Sequence, residues 1–261
     1  MKVQGAIAAA CVMLLSVVYL TAYVQWHKVV GFPQPQKTVA SAGLSSLAPP
    51  RSPAPLAFAP DVTLPDVKDG LAPIIYTVPT KLPVVFLTID DGVYPEPEAA
   101  ARMKAAHVPA SLFLTNSYTH KNAEYFTNLA AQTGSVIEDH TMDHRDLRDL
   151  SYNDQRSEIC TTADIYAAVY GKRPTIMRPP YGDFNTDTQR AAASCGIHGV
   201  IIWHALVQDG VVQYQAGNAL RPGDIVLMHF TPNFKKDLQA FIDASRAAGL
   251  TPQLLENWFA N

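Results

Sequence analysis

From Pro83 onward, short apolar runs alternate with longer segments of helical spacing, and this alternation limits the fold more than any other feature of the chain. Val84 to Ile89, Ser111 to Thr115, Ser135 to Glu138, Thr175 to Met177, Gly199 to Trp203 and Asp224 to His229 read as buried strands. Between them, Pro97 to Ala106, Asn122 to Gln132, Tyr152 to Tyr170, Thr186 to Ser194 and Lys235 to Ala248 have the length and spacing of helices. Such alternation predicts a parallel sheet covered by helices. Leu250 to Leu255 reads as a weak last strand because it contains Pro252. Six or seven such units could close into a barrel smaller than the eight-fold one.

The chain before Pro83 has a different texture. Gly5 to Val24 is an apolar run flanked by Lys2 and Lys28, and its length is enough to span a bilayer as a helix. The alternative is a cleaved signal peptide, but Gln25, Trp26 and His27 make a poor cleavage site. Either reading puts the rest of the chain outside the cytoplasm, anchored in the first case and secreted in the second. Phe32 to about Pro83 is rich in Pro, Ala and Ser and reads as an extended tether. Its second half, around Leu71 to Tyr76, is a candidate to pack on the domain. The expected division is a membrane or signal segment over 1–28, a linker over 29–80 and a catalytic domain over 81–261. Hydrophobic residues make up 48% and charged residues 16%, which excludes wholesale disorder. The net charge of -3 and the lack of a basic stripe exclude nucleic acid as a partner.

The titratable residues cluster at the carboxyl ends of the expected strands, where parallel sheets and barrels build their sites. The first strand runs straight into Asp90-Asp91-Gly92. Adjacent carboxylates there need a cation or donors nearby, though Asp-Asp-Gly is also an ordinary solvated turn. His140 and His144 can converge on one metal if their segment turns helically, and imidazole suits zinc and similar ions. One carboxylate from the Asp pair would complete three protein ligands and leave a position for water. Arg178 precedes Pro179, Pro180, Tyr181 and Gly182, and an arginine there can dock on a carboxylate. His229 ends the sixth strand, after Leu227 and Met228.

Taken together, Thr88-Ile89-Asp90-Asp91-Gly92, His140-Thr141-x-x-His144, Arg178-Pro179-Pro180-Tyr181 and Leu227-x-His229, in that order, resemble the polysaccharide deacetylase (NodB-homology, carbohydrate esterase family four) pattern. The resemblance covers about Leu82 to Phe259. It implies an α/β fold, a distorted, incomplete (β/α) barrel of six to seven parallel strands. It implies Asp90 as general base, Asp91, His140 and His144 as ligands of one divalent ion (zinc first, cobalt or manganese otherwise), and Arg178 as the group that orients Asp90. The Tyr181 amide would bind the oxyanion, His229 would be the general acid, and Asp209 would hold His229. Pro179 and Leu227 would line the substrate pocket. The implied reaction removes N-acetyl groups from an N-acetylated polysaccharide, peptidoglycan or chitin-like, and releases acetate. The alternatives are an O-acetyl esterase or small-amide hydrolase of the same superfamily, and a non-catalytic glycan-binding relative. Gly210 stands where the family usually has a tryptophan, and His204 where an aspartate is common, so substrate shape departs from the pattern.

Cys160 falls in the helix after the His140–His144 strand, and Cys195 at the end of the helix after the Arg178 strand. Neighbouring helices in such a fold pack side by side, and an exported location permits oxidation, so a disulfide between them is expected. A monomer is expected.

Overall fold

The computed structural model describes residues 58–259. The apolar run Gly5 to Val24 and the first part of the linker lie outside them. Among the described residues no helix is long and apolar enough to cross a membrane.

The strands are β1 (Ile74–Ile75), β2 (Val84–Asp91), β3 (Ala110–Leu114), β4 (Val136–Asp139), β5 (Ile176–Met177), β6 (Gly199–Ile201), β7 (Ala205–Gln208), β8 (Val211–Tyr214), β9 (Ile225–His229) and β10 (Thr251–Pro252). The helices are α1 (Ala99–Ala106), α2 (Asn116–Thr119), α3 (Ala123–Thr133), α4 (Tyr152–Tyr170), α5 (Thr186–Ser194) and α6 (Phe234–Ala247). They form one curled ten-stranded sheet in the order β1-β6-β5-β4-β3-β2-β9-β7-β8, with β10 on β2. Every pairing of named strands is parallel except β7 with β8. The mostly parallel, helix-flanked sheet is consistent with an incomplete (β/α) barrel.

The period-2 rule sorts the core. Val85, Leu87 and Ile89 of β2 pack outward with Met103, Phe126, Phe234 and Phe241 from the helices. Val84 and Phe86 face inward with Phe113, Ile201, Ile225 and Trp258. Helix ends follow local chemistry. The Ser151 side chain accepts from the Asp154 amide at the start of α4, Gly171 ends it in the left-handed region, and Asn185 with Thr188 makes a capping box on α5.

Two features depart from a uniform series of strand–helix units. The first is the β7–β8 hairpin, which the sequence reading omitted. Its turn is Asp209-Gly210, with φ of 54° and 74°. Both residues are left-handed, as a two-residue hairpin loop of this kind requires, and Asp-Gly is a favoured sequence for it. The second is the seam. Ile202, Trp203 and His204 pass from β6 to β7 with no intervening helix. β1 fills the gap: Ile74 and Ile75 pair with Val200 and Ile201, and Thr77 bridges Asp224. Val78 N donates to Gly223 O at 2.9 Å. The backbones approach so closely that a Cβ on Gly223 would lie 1.9 Å from Val78 O. The Leu71–Tyr76 stretch therefore packs on the domain, and buried Leu64 shows the contact reaching further back.

On the outer layer, Cys160 of α4 and Cys195, which caps α5, are joined by a disulfide.

Candidate active site

β2 is buried along its length and delivers two carboxylates to the carboxyl edge of the sheet. Asp90 continues the strand, inward-facing and 2% exposed. At Asp91 the backbone turns left-handed (φ 73°). The two carboxylates thereby meet different neighbours apart from His140, whose Nε2 lies 3.7 Å from Asp90 Oδ2 and 3.5 Å from Asp91 Oδ1.

Asp90 Oδ1 accepts from Arg178 Nη1 at 2.6 Å. Arg178 follows β5 and is wholly buried. Its Nη1 also lies 2.8 Å from Thr88 Oγ1, its Nε donates to Ile201 O at 3.1 Å, and its Nη2 donates to Ile202 O at 3.2 Å. Phe113 and Trp203 cover the guanidinium, with ring centroids 4.6 and 5.6 Å away. Burial pulls Arg178 below its ordinary pKa, and the Asp90 charge opposes that pull. A buried cation so enclosed holds Asp90 in one orientation.

Asp91 faces the histidines. Its Oδ1 lies 3.5 Å from His140 Nε2 and 3.3 Å from His144 Nε2. Burial disfavours the Asp91 carboxylate, but the closeness of both imidazoles outweighs burial and holds the carboxyl well below the usual range. His140 Nδ1 lies 2.7 Å from Arg178 O. A carbonyl can only accept, so Nδ1 carries a proton, and in the neutral imidazole the lone pair is on Nε2.

The segment His140–His144 does not turn helically, and its histidines converge by another route. Thr141 and His144 are left-handed (φ 68° and 57°), and the convergence comes from that bend. The bend is tied on every side. Thr141 N donates to Asp139 Oδ1 at 2.7 Å, and Asp143 N to Glu158 Oε2 at 3.0 Å. The amides of Asn116 and Ser117 in α2 donate to Thr141 O and Met142 O at 3.2 and 2.9 Å. Tyr181 is also left-handed (φ 62°), in the turn Pro180–Gly182. Of seven non-glycine residues with positive φ among those described, these four lie in one site. Such conformations persist where the surroundings over-determine them, and they concentrate at functional sites.

Asp91, His140 and His144 each offer a ligand atom within 4.8 Å of the others. The buried Asp91 Oδ1 has no hydrogen-bond partner. One carboxylate and two imidazole nitrogens, with an orphaned buried oxygen between them, fit a divalent ion.

His229 ends β9 in register with Asp90 of β2, so the two residues sit side by side on adjacent parallel strands. Leu227 is buried two residues earlier, and Pro179 is buried after Arg178. Asp209 is not brought to His229. It occupies the hairpin turn, exposed, and its Oδ1 accepts from Asn233 Nδ2 at 2.6 Å. The buried carboxylate of this corner is Asp237 of α6, 2% exposed, which accepts from Gly210 N at 2.6 Å. Burial pushes its carboxyl up, opposed by that amide and by the His229 charge. The Lys236 chain fills the space above Gly210: a Cβ there would lie 2.5 Å from Lys236 Cε. His204 pairs with Arg221.

Sequence reasoning missed Trp203, Asp139, Glu158, Asp237 and Tyr118. Trp203 and Tyr118 are lone aromatics without spacing, Glu158 and Asp237 lie on helices, and Asp139 ends β4 beside the more conspicuous His140. Tyr118 is the third residue of α2, with its ring 5.9 Å from that of His144. Burial and the nearby Asp91, Tyr181 and Asp143 push its phenol up.

The family model for polysaccharide deacetylases matches residues 77–200, a span that includes Asp90, Asp91, both histidines and Arg178. An uncharacterised protein of Streptomyces coelicolor is 36% identical over 196 residues, 72% of this chain and 78% of that one. A peptidoglycan-N-acetylglucosamine deacetylase of Bacillus cereus is 31% identical over 171 residues, 61% of this chain and 60% of that one. Among solved structures, a chitin deacetylase from Colletotrichum lindemuthianum superposes with a TM-score of 0.63 at 21% identity, over 75% of this chain and 94% of that one. That last likeness speaks for the fold alone. Sequence match, fold and the strained cluster at the sheet's carboxyl edge all agree: this chain belongs to the polysaccharide deacetylase family.

Proposed function

We propose that the protein is a metal-dependent deacetylase that removes N-acetyl groups from a polysaccharide of peptidoglycan or chitin type, releasing acetate and a free amino sugar. The observation that carries this reading is the gathering of Asp90, Asp91, His140, His144 and Arg178 from three strand ends into one cluster.

Asp91, His140 and His144 would hold one divalent ion, and the mixed nitrogen and oxygen donors favour zinc. When bound, such an ion supplies Lewis-acid polarisation of the acetyl carbonyl and lowers the pKa of water. Asp90, its Oδ1 fixed by Arg178, has Oδ2 left to take a proton from the attacking water. The Tyr181 amide would donate to the oxyanion. His229, on the strand next to Asp90, would protonate the leaving nitrogen so that the amine departs neutral.

The Cys160–Cys195 disulfide supports a site of action outside the cytoplasm. The run Gly5 to Val24 would serve as a membrane anchor, or be removed as a signal. The test is acetate release from peptidoglycan, chitin oligomers and acetylated xylan, after chelation and after zinc is restored. Release from the N-acetylated glycans only with metal is the expected result. Full activity after chelation, or release from none of them, overturns the reading.

A further inference from the structure

Exposed aromatic residues stand on the segments that follow the site's strands, in a way the proposed chemistry does not use. Tyr94 follows β2, Tyr118 follows β3 and Tyr181 follows β5; they are 39%, 39% and 65% exposed. Two of them pack against His144. The Tyr118 ring lies 5.9 Å from the imidazole, tilted by 34°, and the Tyr181 ring lies 4.8 Å from it at 76°.

The backbone beneath Tyr118 is fixed. Its amide donates to Thr115 O at 3.2 Å, and the preceding amides of α2 donate into the His140–His144 bend. Thr119, the next residue, is fully buried, with its Oγ1 on Thr115 O at 2.9 Å. Tyr118 is thus an open ring on a rigid mount, bolted to the loop that carries a candidate metal ligand. Leaving an aromatic ring open forgoes the stabilisation that covering it would give. The face of a pyranose is apolar C–H and its rim is hydroxyl, which matches a ring with a polar tip.

We propose that Tyr118 is a substrate-binding residue. With Tyr181, whose ring also packs against His144, it stacks on sugar rings of the glycan, so that the site engages a chain rather than a lone acetamide. The inference rests on the saccharide reading given above and names the residue that recognises chain length.

The test uses the full chain with N-acetylglucosamine and its β-1,4-linked tetramer. Kinetics are measured for wild type, Tyr118→Ala and Tyr118→Phe, with metal content of each. Tetramer binding is measured by calorimetry with and without Tyr118→Ala in an Asp90→Asn background. In Tyr118→Ala, KM for the tetramer should rise about five- to tenfold with a much smaller change in kcat, and the advantage of tetramer over monomer should shrink by the same factor. Tyr118→Phe keeps the ring and should keep that advantage. An equal fall in kcat on monomer and tetramer together with lost metal makes Tyr118 a mere support for His144 and overturns the proposal. So does a Tyr118→Ala protein that matches wild type. If acetate is released but tetramer binding ignores Tyr118, this inference falls and the reaction stands. If the tetramer binds through Tyr118 but no acetate appears, the reaction falls and the binding site stands. If there is neither Tyr118-dependent binding nor acetate, both fall.

Discussion

The carboxylates of Asp90 and Asp91 share His140 but differ in their other partner: Asp90 Oδ1 lies 2.6 Å from the Arg178 guanidinium, whereas Asp91 Oδ1 lies 3.3 Å from His144 Nε2. Their substitutions should separate accordingly. Asp90→Asn should keep the metal and lose roughly 10²–10⁴ in kcat, the usual worth of a positioned base. Asp91→Asn should lose the metal itself. Metal content and acetate release measured on both variants decide it. Equal metal loss in the two would show that the division is wrong.

Arg178 fixes Asp90 through contacts that no other side chain reproduces. Arg178→Ala leaves Asp90 as a buried carboxylate without its cation and should cost about 3–5 kcal/mol. Arg178→Lys keeps the charge but cannot serve Thr88, Asp90, Ile201 and Ile202 together, and should also lose most activity. Denaturant unfolding with steady-state kinetics reads both effects. A stable, active Lys variant would contradict this account.

The disulfide closes a loop with a sequence separation of 35. Replacing both cysteines by serine should lower stability by about 3 kcal/mol through the freed unfolded chain. Turnover should be unaffected, because the bridge lies on the outer helices. Thiol titration of the denatured, unreduced protein should find neither Cys160 nor Cys195 free.

Glu138 and Glu256 make a buried acidic pair inside the sheet. Glu138 Oε2 accepts the amides of Thr175 and Ile176 at 2.8 and 3.0 Å, while both Glu256 carboxylate oxygens are buried without a partner. Burial pushes both carboxyls up, and the Glu256 charge raises Glu138 further. Above the ordinary carboxylate range the folded chain therefore holds protons that the unfolded chain has released. Stability should fall as pH rises through that window, by roughly 1.4 kcal/mol per pH unit for each retained proton. Glu256→Gln should flatten the slope, read as urea midpoints from about pH 5 to about pH 9. An unchanged slope would remove the pair as its source.

What the sequence made legible follows from where its signals are local. α4 and α5 begin at Tyr152 and Thr186 as read, because Ser151 and Asn185 are strong caps, and Gly171 stops α4. The strand ends carrying Asp90, Arg178 and His229 were legible because apolar runs led straight into them, and His140 because it follows the strand around Val136 and Ile137 and has a second histidine four residues on. The hairpin was missed although Asp209-Gly210 is a strong local turn signal; the family pattern drew Asp209 toward His229 instead. β1 has two residues beside proline and could not be distinguished from the linker. The bend at Thr141 and His144 was not legible because left-handed backbone at threonine or histidine has no sequence signature. Tertiary hydrogen bonds to Asn116 and Ser117 hold it.

The seam has a consequence for the order in which the chain can become whole. β1 emerges early in synthesis, yet its partners are Val200 and Ile201, and Thr77 must wait for Asp224. Contacts this distant in sequence are slow to form, since loop-closure entropy precedes their reward. Until Gly223 has been made, Val78 lacks the backbone partner that accepts its amide. Closing the seam is therefore a late event, and a chain cut short before β9 would present an open sheet edge to its neighbours.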